Sequence, residues 1–229
     1  MSKILRSARV RRLGILFAAV LAAVLLMPAA AFADGGDVRT MPLYGGMFIQ
    51  SGSTTCVSAF NVKAGTSYYV LTSGGCTSIG GEWTVHGVDL GPTAASSFPG
   101  NDYGLIQVAN PVWQPQPAVL SAQGSLPILG YGSPPVGAEV CTTNETSPVY
   151  CDGTIQAVNV TVSLPGGVIT GLVQVGFAGC VDTGAGAPVF SGKTAVGIAV
   201  AASGNCSGGG TLYYQPIGEV MAAYGLSLV

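Results

Sequence analysis

Short runs in which apolar and polar residues alternate recur along most of the chain after about residue 40. Residues 56–62, 67–72 and 82–87 show this pattern in the first half, and residues 156–164 and 211–216 show it in the second. Because successive side chains of a strand point to opposite faces of a sheet, each run predicts a strand with one buried face. Turns rich in Gly, Pro, Ser and Asn separate the runs. The pattern therefore predicts an all-β protein.

Two segments depart from this pattern. Residues 109–117 contain three prolines, which lack the N–H that a central strand needs, so this segment is predicted to be a crossover between two halves. After Pro216, apolar residues recur at a helical spacing of i, i+3, i+4 and i+7, which predicts a short amphipathic helix. The residues concerned are Ile217, Val220, Met221 and Tyr224.

The first 33 residues have the composition of a secretory signal peptide. Five Lys and Arg residues precede an apolar run over residues 13–27, and Ala31-Phe32-Ala33 fits a cleavage site. The run is shorter than the roughly 20 residues that a membrane span needs. We therefore expect residues 1–33 to be removed and the mature protein to be secreted without stable membrane insertion. An uncleaved, anchoring signal is the alternative.

Removal of that segment makes the chain distinctly acidic. Only Arg39, Lys63 and Lys193 then remain against ten Asp and Glu residues, and three minus ten gives a net charge of −7. Three isolated cations cannot follow a phosphate backbone, so nucleic acid is not an expected partner.

All six cysteines lie after the predicted signal peptide. An even number of cysteines in an exported chain predicts a disulfide framework, for which six cysteines allow fifteen pairings. No pair has the close Cys-x-x-Cys or Cys/His spacing of a zinc site, so neither a metal nor a cofactor is predicted. The cysteines are Cys56, Cys76, Cys141, Cys151, Cys180 and Cys206.

Three motifs resemble a known family when they are taken together. Gly186-Ala187-Pro188-Val189-Phe190 follows a half-cystine at Cys180 and resembles the nucleophile loop of chymotrypsin-fold serine peptidases, which reads Gly-Asp-Ser-Gly-Gly/Ala-Pro-Val. Leu71-Thr72-Ser73-Gly74-Gly75-Cys76 resembles the family's Leu-Thr-Ala-Gly-His-Cys. The segment from Phe98 to Gly104, with Asn101-Asp102-Tyr103 in it, resembles the streptogrisin Phe-Pro-x-Asn-Asp-Tyr-Gly.

The resemblance covers nearly the whole mature chain and points to the streptogrisin and alpha-lytic protease branch. It implies two antiparallel Greek-key six-stranded β-barrels, a short C-terminal α-helix and a cleft between the barrels. The expected domains are residues 34–118 and 119–229. It also implies sequential disulfides, in which Cys56 pairs with Cys76, Cys141 with Cys151, and Cys180 with Cys206.

The same alignment puts unusual residues at the family's catalytic positions. The histidine position is Gly75, the acid position is Asp102, and the nucleophile position is Ala185. Peptide hydrolysis by the family's route needs an attacking hydroxyl and a base that accepts its proton. The expectation from sequence is therefore a secreted pseudoprotease that is not an enzyme and has a binding or structural role.

A binding site is expected in the inter-barrel cleft, with a peptide or protein as its ligand. Thr183, Gly184 and Ala185 form the loop that corresponds to the family's oxyanion hole. A strand would line the cleft where the family has a serine followed by two glycines. Its residues are Val200, Ala201, Ala202 and Ser203.

Two alternatives remain open from the sequence. The chain could be an active peptidase or esterase that uses other residues, with His86 as the base or Thr183 or Ser191 as the nucleophile. It could also be a secreted β-rich adhesion or surface module. Family resemblance by itself does not decide among these functions.

Overall fold

The computed structural model describes residues 39–179, 181–205 and 208–229, which belong to one packed unit. The predicted signal peptide lies outside the described residues. In the first half the elements are β1 (Met41–Gly45), β2 (Phe48–Ser51), β3 (Thr54–Val57), β4 (Asn61–Ala64), β5 (Ser67–Thr72), α1 (Gly74–Thr77), β6 (Glu82–Val85), β7 (Val88–Ser97) and β8 (Tyr103–Gln107).

The second half continues with strands and ends in a helix and a two-residue strand. Its elements are β9 (Trp113–Ser121), β10 (Gly124–Pro127), β11 (Gly130–Tyr131), β12 (Glu139–Thr142), β13 (Tyr150–Leu164), β14 (Gly167–Phe177), β15 (Pro188–Ser191), β16 (Thr194–Asn205), β17 (Gly209–Pro216), α2 (Ile217–Tyr224) and β18 (Ser227–Leu228). The all-β prediction is confirmed.

The first barrel-like sheet has eight strands in the order β18-β4-β5-β8-β7-β6-β2-β3. All of its strand pairs are antiparallel. Its inward-facing residues form an apolar core in which Ile49, Trp83 and Ile106 are fully buried. Alternation along each strand supplies these side chains, since every second residue faces inward.

The second barrel-like sheet has the order β11-β16-β15-β12-β13-β14-β17, and an additional pairing of β16 with β17 closes it. Its core contains Ile155, Val175 and Val189. Apart from the short parallel pairing of β11 with β16, its ladders are antiparallel. Together the two sheets give the predicted chymotrypsin-like architecture, and the candidate site residues lie in α1, just before β8, in the loop before β15 and in β16.

Residues 109–117 were predicted to be a crossover and not a central strand, whereas the structure places residues 113–117 in a strand that has one neighbouring strand there. This strand is β9, which lies between β1 and β10 in a three-stranded sheet. Pro115 is opposite Leu43 of β1, whereas β10 pairs with β9 only from Ala118 onward. Because β9 has one neighbouring strand at its prolines, the missing N–H groups leave no partner unsatisfied. The predicted domain boundary after residue 118 falls within this strand and stays a prediction.

The predicted closing helix is present as α2. Ile217, Val220 and Met221 are buried, and Gly225 ends the helix in the left-handed region with φ 60°. Glycine is favoured there because it has no Cβ to crowd the turn. The chain then returns to the first sheet, where β18 pairs with β4.

Two of the three predicted disulfides lie within the described residues and are formed. They join Cys56 to Cys76 and Cys141 to Cys151. The third predicted pair, Cys180 with Cys206, lies outside the described residues. Disulfides persist in oxidising compartments, so the two that are formed suggest an extracellular protein. In the described ranges, no helix is long and apolar enough to cross a membrane.

Candidate functional site

Asp102 is a buried carboxylate immediately before β8, and three hydrogen bonds with distant parts of the chain hold it. Its Oδ1 accepts a hydrogen bond from Ser73 Oγ at 2.6 Å and a second from the Gly75 N–H at 2.7 Å. Its own N–H donates to Gln215 Oε1 at 2.9 Å. Asp102, Ser73 and Gln215 are all at most 2% exposed. The carboxylate is therefore fixed in position by both side-chain and main-chain groups.

Burial dominates the electrostatics of this carboxylate. Desolvation raises the pKa of Asp102 above its ordinary value of 3.8, because the charged form loses its water. Hydrogen bonds from Ser73, Gly75 and Gly74 oppose the shift, since they stabilise the charged form. The net result is a raised pKa.

Gly75 lies in the first turn of α1, beside the Asp102 carboxylate. A Cβ placed on Gly75 would meet Ser73 Oγ at 3.4 Å, Phe98 Cε2 at 3.7 Å and Asp102 Oδ1 at 3.8 Å. These are ordinary van der Waals contacts, so a side chain could begin at this position. Gly75 itself is half-buried, which leaves its outer side open.

The loop over residues 183–186 turns back between the two sheets. Gly184 and Gly186 both have positive φ, at 83° and 88°. A Cβ on Gly186 would collide with Thr72 Oγ1 and the Val57 carbonyl oxygen, so this position requires glycine. The Val57 N–H donates to the Ala185 carbonyl oxygen at 2.9 Å, which attaches the loop to the first sheet.

Thr183 is anchored from the side of the second sheet. Its Oγ1 lies 3.1 Å from Thr142 Oγ1, and its carbonyl oxygen accepts a hydrogen bond from Asn144 Nδ2 at 3.3 Å. Asn144 also accepts the N–H groups of Thr146 and Ser147 with its Oδ1. The turn over residues 144–147 is thereby attached to the loop that was predicted to correspond to the family's oxyanion hole.

A pocket of about 220 Å³ lies next to this loop. Three of the four predicted cleft residues line it, whereas Ser203 lines a separate hollow with Asp152 and Thr211. Val200 is only 7% exposed, because it also packs with Ile169 and Leu172. The lining residues are Asp182, Thr183, Gly184, Ala185, Ala199, Val200, Ala201, Ala202 and Leu212.

The structure pairs His86 with Glu145. His86 occupies the turn between β6 and β7 with φ 50°, and its Nε2 lies 2.8 and 2.9 Å from the two Glu145 carboxylate oxygens. Ser191 is the candidate nucleophile that lies outside the loop over residues 183–186. Its hydroxyl donates to the Glu139 carbonyl oxygen at 2.8 Å. In the described ranges, no group of three His, Cys, Asp or Glu residues could hold a metal ion.

Sequence reasoning missed three residues that shape the site, namely Ser73, Gln215 and Asn144. Ser73 carried a usable signal, because it stands where the resembling motif has alanine and therefore adds a hydroxyl beside the acid. Gln215 gave no such signal, since it lies in an ordinary apolar-polar strand pattern 113 residues from Asp102.

The known proteins that are similar to this chain include several proteases. Streptogrisin-C of Streptomyces griseus is 37% identical over 190 residues, which are 81% of this chain and 40% of the relative. Serine protease 2 of Streptomyces fradiae is 35% identical over 167 residues, which are 70% of this chain and 94% of the relative. The structure of alpha-lytic protease homolog N4 matches with a TM-score of 0.74 and 36% identity, over 82% of this chain and all of that one.

The chain spans 40%, 47% and 60% of the lengths of streptogrisins C, D and A. No protein-family model matches it. The comparisons give no support to an adhesion or surface module, since the relatives described above carry the names of peptidases.

The prediction that this chain is not an enzyme is corrected by these relatives. Proteins that are 33–37% identical to it are named streptogrisins and serine proteases, so the class that the comparisons support is serine protease. The prediction rested on a few positions, chiefly Gly75 and Ala185 in two separate motifs, whereas the similarity extends over most of the chain. The length of this similarity and the matching fold place the chain in the streptogrisin and alpha-lytic protease family of chymotrypsin-fold, trypsin-like serine peptidases.

Proposed function

We propose that this chain is a secreted member of the serine protease family whose cleft binds an extended polypeptide. The observation that carries the proposal is the pocket of about 220 Å³ beside β16. Small residues line most of this pocket, so its volume suits a small or medium side chain of the ligand. Alanines and Leu212 supply apolar contacts, and the carboxylate of Asp182 at the wall disfavours an acidic side chain.

An open strand edge supports the proposal, because it supplies main-chain partners for a peptide. β15 pairs with β16 as far as Ile198, and β17 pairs with the other side of β16 as far as Asn205. Val200 to Gly204 are thus hydrogen-bonded to one neighbouring strand among the described residues. An extended peptide can add to such an edge while it places alternate side chains into pockets.

Secretion is the second part of the proposal. It rests on the signal-like composition of residues 1–33 and on the two disulfides of the fold. Both features are typical of exported proteins. Secretion can be tested by expressing the full chain with its N-terminus intact and sequencing the N-terminus of the protein that is recovered from the medium. Recovery only from the cells would contradict it.

Peptide binding by the cleft needs neither an imidazole at position 75 nor a hydroxyl at position 185. A hydrolytic step would need both a nucleophile and a proton acceptor, and Ala185 and Gly75 offer neither group. Hydrolysis by this chain would therefore have to draw these groups from other residues. The binding experiment consequently includes a direct measurement of hydrolysis.

The experiment measures the binding of labelled tetrapeptides by fluorescence anisotropy. The peptides carry a C-terminal Leu or a C-terminal Asp, and we expect the Leu peptide to bind at least tenfold more tightly. Ala202→Phe adds a bulky ring at the exposed rim of the pocket and should weaken binding at least tenfold. Ala223→Phe is the matched control, because it makes the same change on the exposed side of α2.

Two results would contradict the proposed binding function. One is the absence of binding at millimolar peptide, and the other is equal weakening by Ala202→Phe and Ala223→Phe. The same samples are incubated with a peptide ester and with a fluorophosphonate probe. These two reagents report whether hydrolysis occurs and which residue is labelled.

A further inference from the structure

The Asp102 carboxylate accepts hydrogen bonds from Ser73, Gly74 and Gly75. Ser73 Oγ and the Gly75 N–H both donate to Oδ1, at 2.6 and 2.7 Å. The Gly74 N–H also stabilises the charged form. An ionised carboxylate has about four acceptor sites, so one site is left on Asp102, which is 2% exposed. This carboxylate therefore has the capacity for a further donor.

Asp102 also lacks a counter-ion in the described part of the chain. The ion pair found there joins His86 to Glu145 on another part of the surface. Arg39, Lys63 and Lys193 are the only Lys and Arg residues after residue 38, and none of them forms an ion pair with Asp102. A buried carboxylate without a cation gains from a positively charged partner more than an exposed carboxylate does.

The surroundings of Gly75 provide a place for such a partner. A Cβ built on Gly75 meets no atom closer than 3.4 Å, and its three nearest neighbours are Ser73 Oγ, Phe98 Cε2 and Asp102 Oδ1. The notch above Gly75 thus has a carboxylate and an aromatic ring within contact distance of one point. A planar cation can donate an N–H to the carboxylate while it stacks on the ring.

We propose that the notch formed by Gly75, Asp102 and Phe98 binds an imidazolium or guanidinium group of the ligand. The proposal rests on the proposed function, since it assigns a His or Arg side chain to the polypeptide that occupies the cleft. The group that fills this notch comes from the ligand, because residue 75 has no side chain. The notch then selects among peptides by a charged hydrogen bond, in addition to the side-chain pocket beside Ala185.

The first test uses imidazole hydrochloride as the probe and follows the Gly75 amide signal of the isotopically labelled, disulfide-intact protein by NMR. We expect saturable shifts of the Gly75 signal at millimolar imidazolium. Asp102→Asn should weaken the apparent affinity at least tenfold, because it removes the charge. Glu82→Gln, the same kind of change at an exposed carboxylate of β6, should leave it unchanged. Tetramethylammonium chloride, a cation without an N–H donor, should give no saturable shift.

A second variant covers the case in which Asp102→Asn does not fold. Gly75→Leu keeps the main-chain N–H that Asp102 accepts and fills the notch with an apolar side chain, which the spacing around its Cβ allows. It should also weaken imidazolium binding at least tenfold, observed through the amide signals of Ser73 and Asp102. Equal affinity in the original protein, Asp102→Asn and Gly75→Leu would overturn the proposal.

A peptide series separates this inference from the proposed function. Peptides with an apolar C-terminal residue carry one Arg, moved along the sequence, and each is paired with a peptide that has citrulline at that place. We expect one Arg position to bind at least tenfold more tightly than its citrulline partner, and Asp102→Asn to abolish that difference. Equal binding of every pair overturns only the cation notch. Failure of all peptides to bind overturns the proposed function as well.

Discussion

Ser73 Oγ donates a hydrogen bond of 2.6 Å to Asp102 Oδ1, and both residues are 2% exposed. In the resembling motif the residue at this position is alanine, so the hydroxyl is a feature of this chain. Charge-assisted hydrogen bonds to buried carboxylates are among the stronger ones in proteins. We therefore expect Ser73→Ala to lower the free energy of unfolding by about 1–3 kcal/mol in urea denaturation at pH 7. Ser78→Ala, whose hydroxyl is exposed and bonds only to the Gly75 carbonyl oxygen, is the control and should cost less.

The raised pKa of Asp102 predicts how stability depends on pH. Its pKa in the folded protein lies above the ordinary value of 3.8, so above about pH 4 the folded state binds this proton more tightly than the unfolded state does. The contribution of Asp102 to stability therefore falls as the pH rises from 3.8 through the pKa of the folded state.

Asp102→Asn removes this titration and should flatten that part of the plot of unfolding free energy against pH. Ser73→Ala should extend the fall to higher pH, because it removes a hydrogen bond that lowers the pKa. Urea denaturation from pH 3.5 to pH 7 measures both effects. Parallel curves for the original protein and Asp102→Asn would contradict this linkage.

Gln215 links Asp102 to the closing helix. Its Oε1 accepts the Asp102 N–H at 2.9 Å, and its Nε2 donates to Glu219 Oε2 at 2.6 Å. Gln215→Met keeps the size of the side chain but leaves the buried Asp102 N–H without its acceptor. We expect a loss of about 1–3 kcal/mol and faster hydrogen exchange at the Asp102 amide. Glu219→Ala removes the more exposed partner and should leave exchange at Asp102 unchanged.

Gly186 and Gly192 offer a matched pair for testing the close approach of the nucleophile-type loop. Both have positive φ, at 88° and 56°. A Cβ at Gly186 would collide with Thr72 and Val57, whereas nothing lies within 4 Å of a Cβ at Gly192. Gly192→Ala should cost about 1–2 kcal/mol from its backbone conformation alone. Gly186→Ala should lower the free energy of unfolding by about 1–3 kcal/mol more than Gly192→Ala does, because its new methyl group also overpacks the site. Similar losses of stability in thermal denaturation would contradict the predicted collision.

His86 and Glu145 form an ion pair, but removal of Glu145 should lower the free energy of unfolding more than removal of His86. His86 is 55% exposed, and exposed ion pairs contribute about 0–1 kcal/mol, so His86→Ala should have a small effect. Glu145 Oε1 also accepts the Phe48 N–H at 3.2 Å, and therefore Glu145→Ala should cost about 1 kcal/mol more than His86→Ala. Denaturation in urea measures both changes. A larger loss for His86→Ala would show that the histidine has a role beyond this contact.

The parts of the fold that followed from the sequence are those set by local periodicity. The closing helix was predictable because Ile217, Val220 and Met221 repeat at the helical spacing and face one core. For residues 109–117 the prolines excluded a central strand but did not reveal that residues 113–117 form a strand with one neighbour, because that depends on the lengths of β1 and β10. Composition does not reveal those lengths. A proline excludes a strand only where both of its sides are paired.

The motifs named candidate site positions, and the structure shows contacts among some of them. Gly75, Asp102 and Ala185 were located by motif, and the structure places Gly75 and Asp102 in direct contact. Ser73, 29 residues from Asp102, was indicated only by its departure from the motif, whereas Gln215, 113 residues away, had no local signal. Val200 was expected to face the cleft, and it lines the pocket while it also packs with Ile169 and Leu172. Its second role depends on the path of the hairpin formed by β13 and β14.

The bond between residue 75 and Asp102 is made by a main-chain N–H. Every amino acid except proline supplies that group, so mutations at codon 75 can accumulate without releasing the acid from its place. The side chain at position 75 can therefore change repeatedly during evolution while this hydrogen bond to Asp102 is kept. The loop at Gly186 lacks such freedom, because its neighbours exclude even a methyl group. The two positions should consequently diverge at very different rates among descendants.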